Sequence, residues 1–285
     1  MMSFLPRRAR NCFGAAGALL VAASFIGASE ARADPETGRS ITLGGAAIVK
    51  PKYEGSDEFQ TIPIPIIIPK FSETVEEDGS AITEVRKRVN FRGLDEIRIR
   101  VLGGERFHAG AVTGYITKRD QDDGPLLRGL GDIDGGLVAG AYTGFTLGAF
   151  QFDATILEKV TGDDSGPEFR FGVETTQQIT ERTRIVARVG TTFASDDYMQ
   201  TYFGVTPAQS RNSKAGLPVY TPDAGIKDVF FELGGTMDLS DRWLLKAGGR
   251  YGRLLGDAAD SPVVETENQF SGVLGLGYRF NLPAR

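Results

Sequence analysis

Cysteine is almost missing from this chain of 285 residues: its one copy, Cys12, lies close to the N-terminus. A lone cysteine permits no internal disulfide framework and no zinc–thiolate centre. Long apolar runs are missing as well. Beyond the N-terminal region no stretch approaches ~18 uninterrupted apolar residues, which excludes a helical membrane span. Positive charge is in deficit, with 32 basic against 37 acidic residues, so nucleic acid is excluded as a partner on electrostatic grounds. The chain also lacks a G-x-S-x-G elbow, a P-loop, a dinucleotide fingerprint and EF-hand spacing.

Arg7, Arg8 and Arg10 form a basic stretch before the mostly apolar segment Cys12 to Gly27. Ala31-Arg32-Ala33 then matches a small-x-small cleavage site, so residues 1–33 read as an export signal and 34–285 as the mature domain. Without residues 1–33, 252 residues remain, carrying 28 basic and 36 acidic side chains, a net charge of about −8. The only cysteine leaves with the signal, and with it any thiol nucleophile.

Glycine, by contrast, is abundant at 37 residues, against the usual ~7% of a chain. It follows no collagen period; in strands such glycines mark bends, bulges and close backbone approach. Strict alternation is the dominant pattern. In Glu96-Ile97-Arg98-Ile99-Arg100-Val101 the charged residues fall on one face of a strand and the apolar ones on the other. Twelve segments read this way: 40–50, 60–71, 82–92, 95–102, 106–117, 133–146, 149–160, 167–179, 182–194, 227–239, 242–255 and 267–280. Behind an export signal, the pattern predicts an all-β fold, a transmembrane antiparallel β-barrel of about twelve strands in the outer membrane. The length agrees, since a spanning strand needs ~9–11 residues.

Loop lengths set the direction of each strand. Tight connections at Gly148, Thr180-Glu181 and Ser240-Asp241 read as periplasmic turns, and 51–59, 118–132, 161–166, 195–226 and 256–266 as external loops. Two connections depart from this rule, the short 93–94 and the acidic 72–81. Charge facing lipid at the midplane costs ~2–4 kcal/mol for Arg or Lys, so the polar faces must line the lumen. Those faces carry Arg98, Arg100, Arg170, Glu174, Arg184, Arg188, Glu232 and Arg250, together with Glu168, Asp238, Lys246 and Arg279. Two readings follow for these lumen charges: a mutually paired network that braces the barrel, or a selectivity surface along a solute path. Lys87, between Arg86 and Arg88, breaks the alternation. Pro63, Pro65 and Pro69 each remove a ladder donor, which predicts irregular pairing in that strand.

Catalytic chemistry finds little support, and no catalytic, cofactor-binding or metal-ligating residue is assigned. His108 reads as structural, with no elbow to nominate a serine partner. The acidic pairs Asp122-Asp123, Asp163-Asp164 and Asp196-Asp197 read as solvated loop residues or weak divalent-cation contacts.

Three loop segments carry a family likeness: Tyr53-Glu54-Gly55-Ser56-Asp57, then Ala194 to Val205 with Asp196-Asp197-Tyr198 at its head, then Leu254 to Pro262 containing Gly256, Asp257, Asp260 and Ser261. With Gly129 to Asp134 and the closing Gly275 to Phe280, these segments resemble the MipA/OmpV family of outer-membrane proteins, MipA being the MltA-interacting protein. The resemblance implies an outer-membrane barrel. For its best-known members it also implies a non-enzymatic scaffold between a lytic transglycosylase and a peptidoglycan synthase. Outer-membrane lipid and lipopolysaccharide are the surrounding partners. A narrow pore or solute channel is the alternative function, and an outer-membrane hydrolase the third. The resembling loop residues are expected to pack as an external cap over the barrel mouth or to meet an external ligand such as lipopolysaccharide.

Overall fold

The structure, a computed structural model, describes residues 40–70, 89–104 and 106–281. The expected signal segment, the 72–81 turn and Lys87 lie outside these residues. Twelve strands follow the chain: β1 (Ser40–Pro51), β2 (Phe59–Lys70), β3 (Val89–Phe91), β4 (Ile97–Gly103), β5 (Phe107–Ile116) and β6 (Gly136–Leu147), then β7 (Phe150–Lys159), β8 (Pro167–Thr180), β9 (Thr183–Ala194), β10 (Gly225–Asp238), β11 (Trp243–Leu254) and β12 (Asn268–Asn281). They form one antiparallel sheet in the order β2-β1-β12-β11-β10-β9-β8-β7-β6-β5-β4-β3. Sequence neighbours pair throughout except β2 and β3, the two ends of this order among the described residues, and β1 also pairs with β12 from Ser40↔Asn281 to Val49↔Gly272. Side-chain bonds across the interior show that the sheet is rolled. Lys50 Nζ donates to Thr117 Oγ1 just beyond β5 at 3.1 Å, and Arg98 of β4 reaches Asp153 of β7 at 2.6 Å.

Burial is inverted relative to a soluble protein. Val101, Phe107, Phe145, Phe171, Val189, Phe231 and Leu274 are exposed on the outer face, whereas Arg98, Asp153, Glu168 and Arg188 are buried inside. This is what strand alternation produces when hydrocarbon lies outside. Glycines on the inner face make room for bulky interior groups. A Cβ on Gly172 would lie 2.5 Å from an Arg188 nitrogen, and one on Gly144 would lie 2.4 Å from His108 Nε2.

Two sequence expectations need correction. The segment 133–146 begins as strand only at Gly136, because Ile133 instead bridges Arg119 within the long connection before β6. Towards β1, proline does not disturb β2 either: the two pair without a break from Ser40↔Lys70 to Pro51↔Phe59, whereas the other edge of β2 has no strand partner among the described residues. The reason is parity. Lys52 N donates to Glu58 O, so even-numbered residues make the β1–β2 ladder, while Pro63, Pro65 and Pro69 turn their donor-less nitrogens to the other edge.

Candidate functional site

Apart from the short 92–96 connection, the long connections among the described residues gather at one end of the sheet and the tight turns at the other. The long-loop end carries residues 52–58, 117–135, 160–166, 195–224 and 255–267, and four of these loops share apolar cores. One core joins Tyr53, Leu127, Leu130, Val205, Leu217 and Val263; a second joins Ile133, Tyr198, Met199, Tyr202, Phe203, Leu254 and Ala258. The 195–224 loop is built rather than irregular. It holds α1 (Asp196–Phe203) and α2 (Pro207–Asn212), and its base is pinched by a Val205↔Tyr220 bridge. Ser195 caps α1 by accepting from Tyr198 N, and Asp196 and Asp197 occupy its positive first turn. Thr206 and Gln209 form a reciprocal capping box on α2, with Pro207 in its first turn. The apolar positions 198, 199, 202 and 203 fall on one face of α1, and all four are buried.

The residues picked out in the loop sequences hold these connections together. Tyr53 Oη donates to Val263 O at 3.2 Å, and Ser56 Oγ to Glu265 at 3.3 Å. Gly55 has φ +98, and a Cβ there would stand 2.6 Å from Val264 Cγ2, while its carbonyl accepts from Glu265 N and Thr266 N. Asp57 contributes its backbone N–H to Glu265, with its own side chain exposed. The Asp196 carboxylate accepts from Ala224 N, and Asp257 accepts from Asp223 N at 2.8 Å. Ser261 Oγ is buried and donates to Phe203 O at 2.5 Å. Gly256 opens α3 (Gly256–Ala259) at φ +51, and Asp260 closes it. Asp197 and Asp260 are exposed.

Burial raises the hydroxyl pKa of Tyr53 and Tyr198 above the usual tyrosine value, and pushes Tyr202 up to about 12. The same cause lowers Arg119, whose guanidinium donates to Tyr202 O at 2.7 Å.

Below the loops, the inner face carries an ion-pair network. Asp153 is its hub, with Arg98 at 2.6 Å, Arg188 at 2.8 Å and Arg92 at 3.6 Å. Arg98 also meets Glu96 at 2.7 Å; Arg170 meets Asp95, Glu96 and Glu168; Arg92 meets Glu174 at 2.8 Å. Arg250 pairs with Glu232, its cross-strand neighbour, at 3.0 Å. Arg100 and Arg184 stand on the same face but nearer the short-turn end, Arg184 donating to Gln178 Oε1 at 3.2 Å. The two levels meet at Lys227, whose ammonium touches Glu168 at 2.7 Å, Glu54 at 2.6 Å and the Tyr198 hydroxyl at 3.3 Å.

Asp153 and Lys227 were missed in the sequence for different reasons. Asp153 follows the alternation, between Gln151 and Thr155, and is legible there. Lys227 does not, because a bulge between Ile226 and Asp228 turns two successive residues, Lys227 and Asp228, inward. His108 is a packed interior group beside Gln151, at 2.9 Å, and Tyr142. Among the described residues no cluster has the composition of a metal site.

Set beside known sequences, residues 43–280 match the family described as MltA-interacting protein MipA. The chain belongs to this family. A curated relative, the outer membrane protein Omp26La of Vibrio anguillarum, is 26% identical over 175 residues, covering 59% of this chain and 64% of that protein. The match thus spans less than two thirds of the relative's length. Among solved structures, the translocator domain of the autotransporter NalP from Neisseria meningitidis aligns with 86% of this chain and 90% of its own, at 12% identity and a TM-score of 0.40. The porin NanC aligns with 84% and 98%, at 8% identity and a TM-score of 0.37. This member of the MipA family is an outer-membrane protein, with its apolar belt facing lipid and its charges within.

Proposed function

We propose that this barrel is a non-enzymatic scaffold of the cell envelope, sealed to solutes, that positions murein-metabolising enzymes at the inner surface of the outer membrane. Two features in series support the sealed state: apolar cores shared by the loops of the long-loop end, and beneath them the Asp153-centred network on the inner face. A selectivity surface needs charged groups left available to solute, whereas here nearly every interior cation at this level is engaged by a carboxylate. The family description, an MltA-interacting protein, supports a protein partner; a lytic transglycosylase and a peptidoglycan synthase are the partners that the family resemblance implies.

Conductance of the refolded mature chain in a planar lipid bilayer tests the seal. The expected outcome is a folded barrel without unitary steps. Reproducible steps, altered in selectivity by Arg98→Ala or Arg188→Ala, would replace the scaffold with the pore. One observation favours that second reading: towards the short-turn end the inner face opens to solvent, with Thr176 and Gln178 exposed. Crosslinking in intact cells tests the scaffold directly, a murein hydrolase being the expected product; its absence under several crosslinker chemistries would count against the role. Replacing the acidic loop pairs should leave no hydrolytic activity to lose.

A further inference from the structure

Phenylalanine, leucine and valine side chains project from much of the outer face. The sector formed by β11, β12, β1 and β2 is different. Gly45 and Ala47 make a low floor between Pro63 and Pro65 on one side and Leu274 and Leu276 on the other, a shallow open groove of about 830 Å³. In register with it, towards the short-turn end, lies a second hollow of about 300 Å³ between Arg242, Trp243 and Tyr278. The two are neighbours on the same pair of strands. Leu245 and Leu276 are cross-strand partners, as are Trp243 and Tyr278, so the hollows lie two residues apart on both strands, roughly 7 Å.

The charges around the smaller hollow are unequal. Arg182 faces Asp241 at 3.4 Å and Arg279 faces Asp238 at 3.1 Å. Arg242 donates only to the neutral Tyr278 hydroxyl, at 3.1 Å, and no carboxylate pairs with it among the described residues. Its guanidinium is exposed beside an aromatic pair whose ring centroids are 5.0 Å apart, in a hollow that Asp241 also lines. Ser240 fixes the turn, its hydroxyl accepting from Arg242 N and Trp243 N.

We propose that this sector holds one anionic glycerophospholipid, with an acyl chain in the apolar groove and its phosphate at Arg242. The groove opens to hydrocarbon, so the occupant there is an acyl chain. Short turns place Arg242 in the periplasmic leaflet, where phospholipid headgroups lie, and a guanidinium beside amphipathic rings suits a phosphodiester at that depth. The lipid would mark one wall of the barrel as distinct from the rest.

Native mass spectrometry of the mature chain, released from mild detergent after stepwise delipidation and re-addition of phosphatidylglycerol or phosphatidylcholine, tests the assignment. The wild type is expected to retain one phosphatidylglycerol, preferred about fivefold over phosphatidylcholine. Arg242→Ala should abolish the preference, and Ala47→Phe, which fills the groove from the lipid side, should abolish retention of both. Val189→Phe on another wall should change neither, and heat-modifiable migration verifies that each barrel is folded. If Ala47→Phe fails to fold, the Arg242→Ala comparison alone decides. Equal retention of the two lipids by the wild type would overturn the proposal. So would a preference that survives Arg242→Ala, a dimer that Ala47→Phe dissociates, or retention of lipopolysaccharide in place of phospholipid.

Discussion

Lys227 is the residue on which loop and barrel converge. Its ammonium is buried with Glu168 and bonded to Glu54 of the first long loop, so removing it takes one of two cations from the buried Glu168, which keeps Arg170. Lys227→Met should lower stability by about 2 kcal/mol, read from urea unfolding of the barrel in vesicles. An unchanged unfolding midpoint would show that the contact carries no free energy. At Gly55, Ala must adopt φ +98 and press its methyl against Val264, so Gly55→Ala should cost about 1–3 kcal/mol in the same assay. Tyr202 gives a pH signature. Its folded pKa lies above the unfolded value of ~10, so the neutral hydroxyl's contribution is complete below pH ~10 and lost as pH rises towards 12. Protease cleavage of the 195–224 loop should therefore accelerate across that window, and the part due to this group should vanish in Tyr202→Phe. The buried tyrosines Tyr53 and Tyr198 titrate in the same direction.

Among the elements, β2 separates what composition suggests from what geometry permits. Three prolines in a strand argue against regular pairing, yet all three share one parity and leave the even-numbered ladder to β1 intact. Ile64→Pro, one residue away, should lose about 2 kcal/mol or more by removing a donor and leaving its acceptor unpaired. Pro63→Ala should stay within about 1 kcal/mol of wild type. Similar losses for the two variants in urea titration would contradict the parity argument. The twelve strands were legible for a related reason: side-chain period 2 is a property of the extended backbone, so Arg98, Arg170, Arg188 and Glu232 could be placed on the inner face from spacing alone. Lys227 could not, because a bulge resets the period and leaves no mark in a sequence where Lys227 and Asp228 are simply adjacent. The helices α1 and α2 were partly encoded. Ser195 with Asp196 and Asp197, and Thr206 with Pro207 and Gln209, are helix-start signals, but whether so short a helix forms depends on the loops it packs against.

For the whole molecule, the proposed seal makes the loop cores and the ion-pair network two barriers in series. Shortening the 195–224 loop to a tight turn across the Val205↔Tyr220 bridge should leave the bilayer silent, because the Asp153 network remains beneath it. Adding Arg98→Ala to that deletion should produce unitary steps. Conductance from the loop deletion alone would show that the network is not a barrier. The sequence by itself determined the inside and the outside of this protein, since alternation fixes which residues must face lipid and which cannot. It also determined the strand count and the segregation of long and short connections. Only the tertiary structure decided which charges pair, which loops meet and which wall is grooved. Rolling the sheet brings Arg98, Asp153 and Arg188 to one point from three strands far apart in the chain, and no local period records that convergence.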